Sequence, residues 1–145
     1  MPRSPAYFDT SVVVKRYILE IGTARARALL RRHRVVSSAI TAVETMGAMC
    51  RRRRGGELTA DDFAAIVTRL QKDRALWEVI GVSPTVLADA EAILRDTGVR
   101  TLDAVHLASA RAARILSAKP LPFVTADVRQ RAAAEQLGLD MVWVE

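Results

Sequence analysis

Cysteine is almost missing from this chain of 145 residues: Cys50 stands alone, so neither an internal disulfide nor a cysteine-based metal site can form. Aromatic residues are scarce at 5%, and no basic–aromatic alternation offers a platform for stacked bases. Trp77 and Trp143 therefore read as core or interface residues. No apolar run approaches the roughly 20 residues of a membrane-spanning helix. Residues Met1 to Thr10 lack a basic region leading into a long apolar stretch, so neither a cleaved signal nor membrane insertion is expected, and the expected location is cytoplasmic. Repeats, linkers and low-complexity stretches are absent, and a single domain over residues 1–145 is the expectation at this length.

What the chain does have is apolar residues, half of the total, and charge, 26%. That balance builds a core and does not describe a disordered tail. Lys and Arg number 22 against 16 Asp and Glu, a net charge of +6. Nearly all of the basic residues are Arg, whose planar guanidinium suits bidentate contacts with an anionic partner. Nucleic acid is the first candidate; an anionic lipid surface or an acidic protein fits the same charge.

Short β-prone stretches alternate with helical ones. Ala6-Tyr7-Phe8 predicts a strand, closed by Asp9-Thr10-Ser11, which can cap a helix over Val12 to Leu19. Thr23 to Arg34 predicts a helix and Val35-Val36 a strand. A helix over Ser38 to Arg54 carries an apolar stripe through Ile40, Val43, Met46 and Cys50, the cysteine reading as a small buried hydrophobe. Thr59 caps a helix through Leu70, Trp77 to Ile80 forms a short strand, and Ser83-Pro84 opens a helix over Thr85 to Asp96 that stops at Gly98. Thr101 to Leu116, the least polar helix, belongs in the centre. A strand over Leu121 to Val124, an Ala-rich helix to Gln136 and a strand over Met141 to Val144 complete the series. This order implies an α/β fold, a mainly parallel central sheet flanked by helices on both faces, as an α/β/α sandwich.

In open parallel sheets ligands bind beyond the carboxyl ends of the strands. Asp9 and Asp127 each follow a strand and share that rim if the two strands are neighbours; each could also simply cap the helix it precedes. Glu44 has Ile40, Thr41, Gly47 and Ala48 at helical spacing, and Asp103 has Val99, His106, Leu107 and Ala110. Both acids thus fall on faces that pack inward, where a carboxylate needs a partner. An arginine is one such partner. Several carboxylates at one end of a sheet, with no Lys between them, repel one another, and a divalent cation is the simplest counter-charge. All the donors are oxygens, so Mg²⁺ or Mn²⁺ suits better than Zn²⁺. A hard ion beside a basic surface points to phosphodiester chemistry.

Four segments then stand in a telling order: Phe8-Asp9-Thr10-Ser11-Val12-Val13-Val14-Lys15, Ser37-Ser38-Ala39-Ile40-Thr41-Ala42-Val43-Glu44, Arg100-Thr101-Leu102-Asp103-Ala104-Val105-His106-Leu107-Ala108 and Phe123-Val124-Thr125-Ala126-Asp127. With these the chain resembles PIN-domain ribonucleases, and most closely VapC-type toxins of bacterial type II toxin–antitoxin systems, over nearly its whole length. The resemblance implies a metal-dependent endoribonuclease with an acidic quartet of Asp9, Glu44, Asp103 and Asp127. Asp9 and Asp103 are implied as direct ligands of Mg²⁺ or Mn²⁺, Glu44 and Asp127 as acting directly or through water, and Thr10, Ser11 and Thr125 as supporting groups. It implies hydrolysis of RNA to a 5′-phosphate and a 3′-hydroxyl. It also implies a homodimer, a VapB-like antitoxin that occludes the site, and contact with DNA only through that complex. Some relatives carry a further acid near the fourth segment, but Val128-Arg129-Gln130-Arg131 follow Asp127 here, so one metal is expected. Arg51, Arg52, Arg53 and Arg54 could bind RNA phosphate or the antitoxin, or form a solvated cluster at a helix end. His106 either reaches the site or only packs, and Phe63 and Trp77 are candidates for the dimer surface.

Two other readings fit parts of the pattern. One is a Mg-dependent phosphohydrolase of another doubly wound fold, which resembles an Asp-x-Asp-x-Thr start; position 11 here is Ser11. The other is a non-catalytic nucleic-acid-binding module whose acids pair with arginines.

Overall fold

Among the residues that the computed structural model describes, 2–145, five strands form one sheet: β1 (Pro5–Phe8), β2 (Arg34–Ser38), β3 (Glu78–Ile80), β4 (Phe123–Thr125) and β5 (Met141–Trp143), in the order β3-β2-β1-β4-β5. Every neighbouring pair is parallel, so all five carboxyl ends share one edge. The helices are α1 (Thr10–Val14), α2 (Thr23–Arg32), α3 (Thr41–Arg54), α4 (Ala60–Arg74), α5 (Pro84–Thr97), α6 (Thr101–Leu116) and α7 (Val128–Gln136).

The period of two along β1 sorts its side chains between the two faces. Tyr7 stacks on Phe123, ring centroids 5.5 Å apart, and packs with Val36 under α5, α6 and α7. Ala6 and Phe8 point the other way and join Val124 against Val12 and Val13 of α1 and Ala26, Leu29 and Leu30 of α2. Fully burying a side chain such as Phe8 contributes about 1.5–3 kcal/mol. A third cluster, Val14, Ile18, Met49 and Ile66, pins α3 and α4 outside α1. The result is the expected α/β/α sandwich. Among the described residues no helix is long and apolar enough to cross a membrane.

Local signals fix several ends. Thr59 and Asp62 form a reciprocal capping box at the start of α4. Ser83 accepts the Val86 N–H at the start of α5 with Pro84 in the first turn, and Gly98 ends that helix at φ +69°.

Four expectations need correction. The first helix stops at Val14 instead of Leu19. Tight three-residue hydrogen bonds turn the chain over 15–17, and the Thr23 hydroxyl donates to the Ile18 carbonyl, so a tertiary cap replaces the last helical turn and leaves Leu19 exposed. The helix expected from Ser38 starts at Thr41, because Ser38 still belongs to β2 and its hydroxyl accepts the Ile40 N–H. Cys50 is half-buried, since the stripe that enters the core on α3 runs through Ala42, Thr45 and Met49. Asp9 does not cap α1: its carboxylate accepts no N–H from that helix.

Phe63 packs in the third cluster and Trp77 against the α1–α2 face, so both serve the chain's own core at least in part. Trp143 lies under the Arg131 guanidinium, 4.9 Å from its ring centroid.

Candidate active site

Asp9 stands one residue past the end of β1, where its N–H still pairs with the Val124 carbonyl of β4 (3.2 Å). Its side chain is 2% exposed. Two hydroxyls meet it. Ser11 donates to Oδ1 at 2.5 Å and Thr125 to Oδ2 at 2.5 Å. Ser11 also reaches the β4 end, accepting the Ala126 N–H (2.9 Å), while Thr125 accepts the Asp127 N–H two residues on (3.1 Å). The carboxylate is thereby fastened across the β1–β4 junction. Burial pushes the Asp9 carboxyl up from its usual range; the His106 ring and the two hydroxyls pull it down less strongly, and the charge of Asp127 adds to the rise.

Glu44 arrives at the same edge by a different device. The Ser37 hydroxyl at the end of β2 donates to the Phe8 carbonyl (2.6 Å) and pairs with the Thr41 hydroxyl (2.6 Å), which seats the first turn of α3 against the end of β1. Glu44, one turn on, accepts from the Thr10 hydroxyl (2.6 Å) and lies 2.6 Å from His106 Nε2, both at Oε1. Burial raises the Glu44 carboxyl, but the hydrogen bonds from His106 and Thr10 outweigh it and hold the group below its usual range.

Asp103, in the first turn of α6, and Asp127, before α7, complete the edge. Asp127 does cap its helix, accepting the N–H groups of Arg129 and Gln130 at Oδ1. Its other oxygen faces Arg100, whose Nη2 is 3.6 Å away and whose Nε donates to Asp103 Oδ2 at 3.1 Å. The counter-charge that the sequence assigns to a cation is thus supplied on this side by an arginine with a 64% exposed side chain. Thr125 links Asp9 to Asp127 and Arg100 links Asp127 to Asp103, while Glu44 bonds Thr10, next in the chain to Asp9, and His106, one turn after Asp103. Thr10 hydrogen-bonds Glu44, and Ser11 and Thr125 hydrogen-bond Asp9. Arg51 to Arg54 do not reach the carboxylates: they lie seven to ten residues further along α3, roughly 10–15 Å away. Arg52 is spent on Glu57 and Glu20.

Tyr7, Arg100 and Gln130 escape the sequence reading. Tyr7 sits in a strand, where its alternation with Phe8 sends its hydroxyl to His106 Nδ1 (2.8 Å). Arg100 is three residues before Asp103, a spacing that brings a helix cap over the first turn. Gln130 is buried and donates to the Asp103 carbonyl (3.3 Å), and its Oε1 has no hydrogen-bond partner among the described residues.

The donor chemistry fits a hard divalent ion. Among the described residues no arginine or lysine contacts the buried Asp9 carboxylate, and Gln130, which bonds the Asp103 carbonyl through its nitrogen, keeps Oε1 spare. Among the described residues no three His, Cys, Asp or Glu side chains close around a point as a ready-made cage. An ion here would be held by few protein oxygens, which suits Mg²⁺, an ion that usually keeps several waters.

Fold and edge together define an open parallel α/β domain with an acidic site at the carboxyl ends of its strands. The chain belongs to the PIN domain family, whose model matches residues 6–136. Among solved structures it is similar to a toxin–antitoxin complex from Klebsiella pneumoniae, at 18% identity and TM-score 0.69, covering 94% of this chain and 95% of that one. It is similar to FitAcB from Neisseria gonorrhoeae, at 18% identity and TM-score 0.70 over 97% and 96% of the two chains. A third is VapBC2 from Rickettsia felis bound to a DNA fragment from its promoter, at 13% identity and TM-score 0.67 over 97% and 99%. No curated protein matches the chain.

Proposed function

We propose that this chain is a metal-dependent endoribonuclease that acts as the toxin of a VapBC-like type II toxin–antitoxin pair. The observation that carries the reading is the gathering of Asp9, Glu44, Asp103 and Asp127 at one edge of the sheet, with Asp9 buried and, among the described residues, in no contact with an arginine or lysine. Family membership and the toxin–antitoxin complexes among the similar structures support it.

Asp9 and Asp103 would hold Mg²⁺ or Mn²⁺, with Glu44 and Asp127 binding directly or through water. A divalent ion so held acidifies a water and draws charge off the phosphate. The residues do the rest. Thr125 and Ser11 keep Asp9 in one orientation; Glu44 accepts a hydrogen bond from the attacking water. Water adds to phosphorus, the bond from phosphorus to the 3′-oxygen breaks, and that oxygen takes up a proton, leaving a 5′-phosphate and a 3′-hydroxyl. A homodimer, a VapB-like antitoxin over the acidic edge, DNA contact through that complex and a cytoplasmic location complete the proposal. Arg51 and Arg54, and Arg53 on releasing the Leu58 carbonyl, would meet RNA phosphates along α3.

A second reading draws on Arg100: a binding module in which arginines neutralise the acids. One experiment separates them. Purified, antitoxin-free protein is incubated with total RNA and Mg²⁺, Mn²⁺ or EDTA, beside an Asp9→Asn/Asp103→Asn control. Discrete metal-dependent fragments absent from the control are expected; no cleavage together with no Mn²⁺-dependent rise in Tm would favour the binding module.

A further inference from the structure

One buried group behind the acidic edge has no role in the chemistry above. His106, 2% exposed, lies between a phenol and a carboxylate: the Tyr7 hydroxyl is 2.8 Å from Nδ1, and Glu44 Oε1 is 2.6 Å from Nε2. Tyr7 is fully buried, and a phenol carries its proton near neutral pH, so its hydroxyl can donate to Nδ1. With Nδ1 accepting, the ring carries its proton on Nε2 and donates to Glu44. The Thr10 hydroxyl donates to the same oxygen at 2.6 Å. Two donors converge on Oε1, while no hydrogen bond among the described residues is made to Oε2. Glu44 is 24% exposed at its side chain, so the second oxygen is the one available to solvent.

We propose that Tyr7 and His106 form a positioning relay that fixes Glu44 by one oxygen and presents the other, Oε2, to the reacting water or ion. The relay rests on the nuclease reading for its purpose and on Tyr7, His106 and Thr10 for its form. Tyr7 belongs to β1, two residues before Asp9, and His106 to α6, one turn after Asp103. The relay therefore ties the orientation of the α3 acid to the two elements that carry the implied metal ligands. Without it, Glu44 would keep only Thr10 and could rotate about its side-chain torsions, which costs geometry more than binding.

The test has two arms. In metal-free protein, nitrogen NMR of His106 is expected to show the Nε2–H tautomer with a slowly exchanging ring proton, shifted by Tyr7→Phe and by Glu44→Gln. An Nδ1–H tautomer, or a rapidly exchanging ring, would overturn the relay. In the kinetic arm, His106→Leu should lower kcat about tenfold or more with little change in KM, and His106→Gln, which restores a donor towards Glu44, should recover most of it. In a Glu44→Gln background His106→Leu should cost nothing further; losses that multiply would show that His106 acts independently of Glu44 and would overturn the proposal. Tyr7→Phe reaches the same ring from its far side and should give a smaller kcat loss, so the result stands even if His106→Leu does not fold. A wild-type protein inert towards RNA with every metal would sink the nuclease reading alone, because the NMR arm reads the relay without turnover.

Discussion

The two halves of the acidic edge solve the same problem in opposite ways. Asp9 is held by the hydroxyls of Ser11 and Thr125, and Glu44 by the Thr10 hydroxyl and the His106 ring. Asp103 and Asp127 share a charge, the exposed guanidinium of Arg100, with Asp127 also fixed by the α7 N–H groups it caps. Hydroxyls orient a carboxylate without neutralising it, so the first half keeps its negative charge in a dry place, where a cation is worth most. An exposed arginine neutralises readily and lets go readily, because solvent screens the pair. One half is built for permanence and the other for exchange.

Replacing the acids tests the contrast most severely. Asp9→Asn and Asp103→Asn should each lower metal-dependent cleavage by about a thousandfold, but their metal-free stabilities should diverge. Asp9→Asn removes a buried charge whose pKa is raised, and should raise the melting temperature by an amount equivalent to about 1 kcal/mol. Asp103→Asn removes an arginine partner and should not. Equal melting shifts in calorimetry would erase the distinction. Thr125→Val comes next: it strips Asp9 Oδ2 and the Asp127 N–H of their partner, and should cost about 1–3 kcal/mol by urea unfolding, in a position where a methyl fills the same space.

The pH dependence sharpens the first half. Because the folded protein holds the Asp9 proton more tightly than the unfolded chain does, this residue's contribution to metal-free stability is fully present below the unfolded pKa, about 3.9, and is lost as pH rises through the higher folded pKa. Wild type minus Asp9→Asn in calorimetric scans should show that decline; a difference flat with pH would refute it. The smallest effect belongs to the second half. Arg100→Met should leave melting of the metal-free protein nearly unchanged and enlarge the Mn²⁺-induced rise in Tm by freeing Asp103 and Asp127, a gain read by differential scanning fluorimetry.

The sequence made the layered fold legible because strand and helix signals alternate cleanly and caps such as Thr59 and Ser83 are local. It made the acids legible too, since Glu44 and Asp103 violate the apolar faces they occupy. What it could not reveal depends on distant partners. The end of α1 is decided by Thr23, and the state of Asp9 by Thr125, 116 residues away. Asp127 and Asp9 look alike in sequence, each an acid after a strand; only tertiary contacts make one a helix cap and the other a buried carboxylate. Arg100 was hidden for the same reason, an ordinary surface residue until its two carboxylates come together.

The central place of β1 bears on how the protein is made. Asp9 leaves the ribosome 116 residues ahead of Thr125, yet the strand and hydroxyl that complete its surroundings belong to β4. Synthesis runs from the N-terminus at a limited rate, so a nascent chain carries an unfinished edge until Thr125 has emerged. On the proposed reading, an enzyme that cuts RNA stays incomplete while the RNA for those 116 residues is being read.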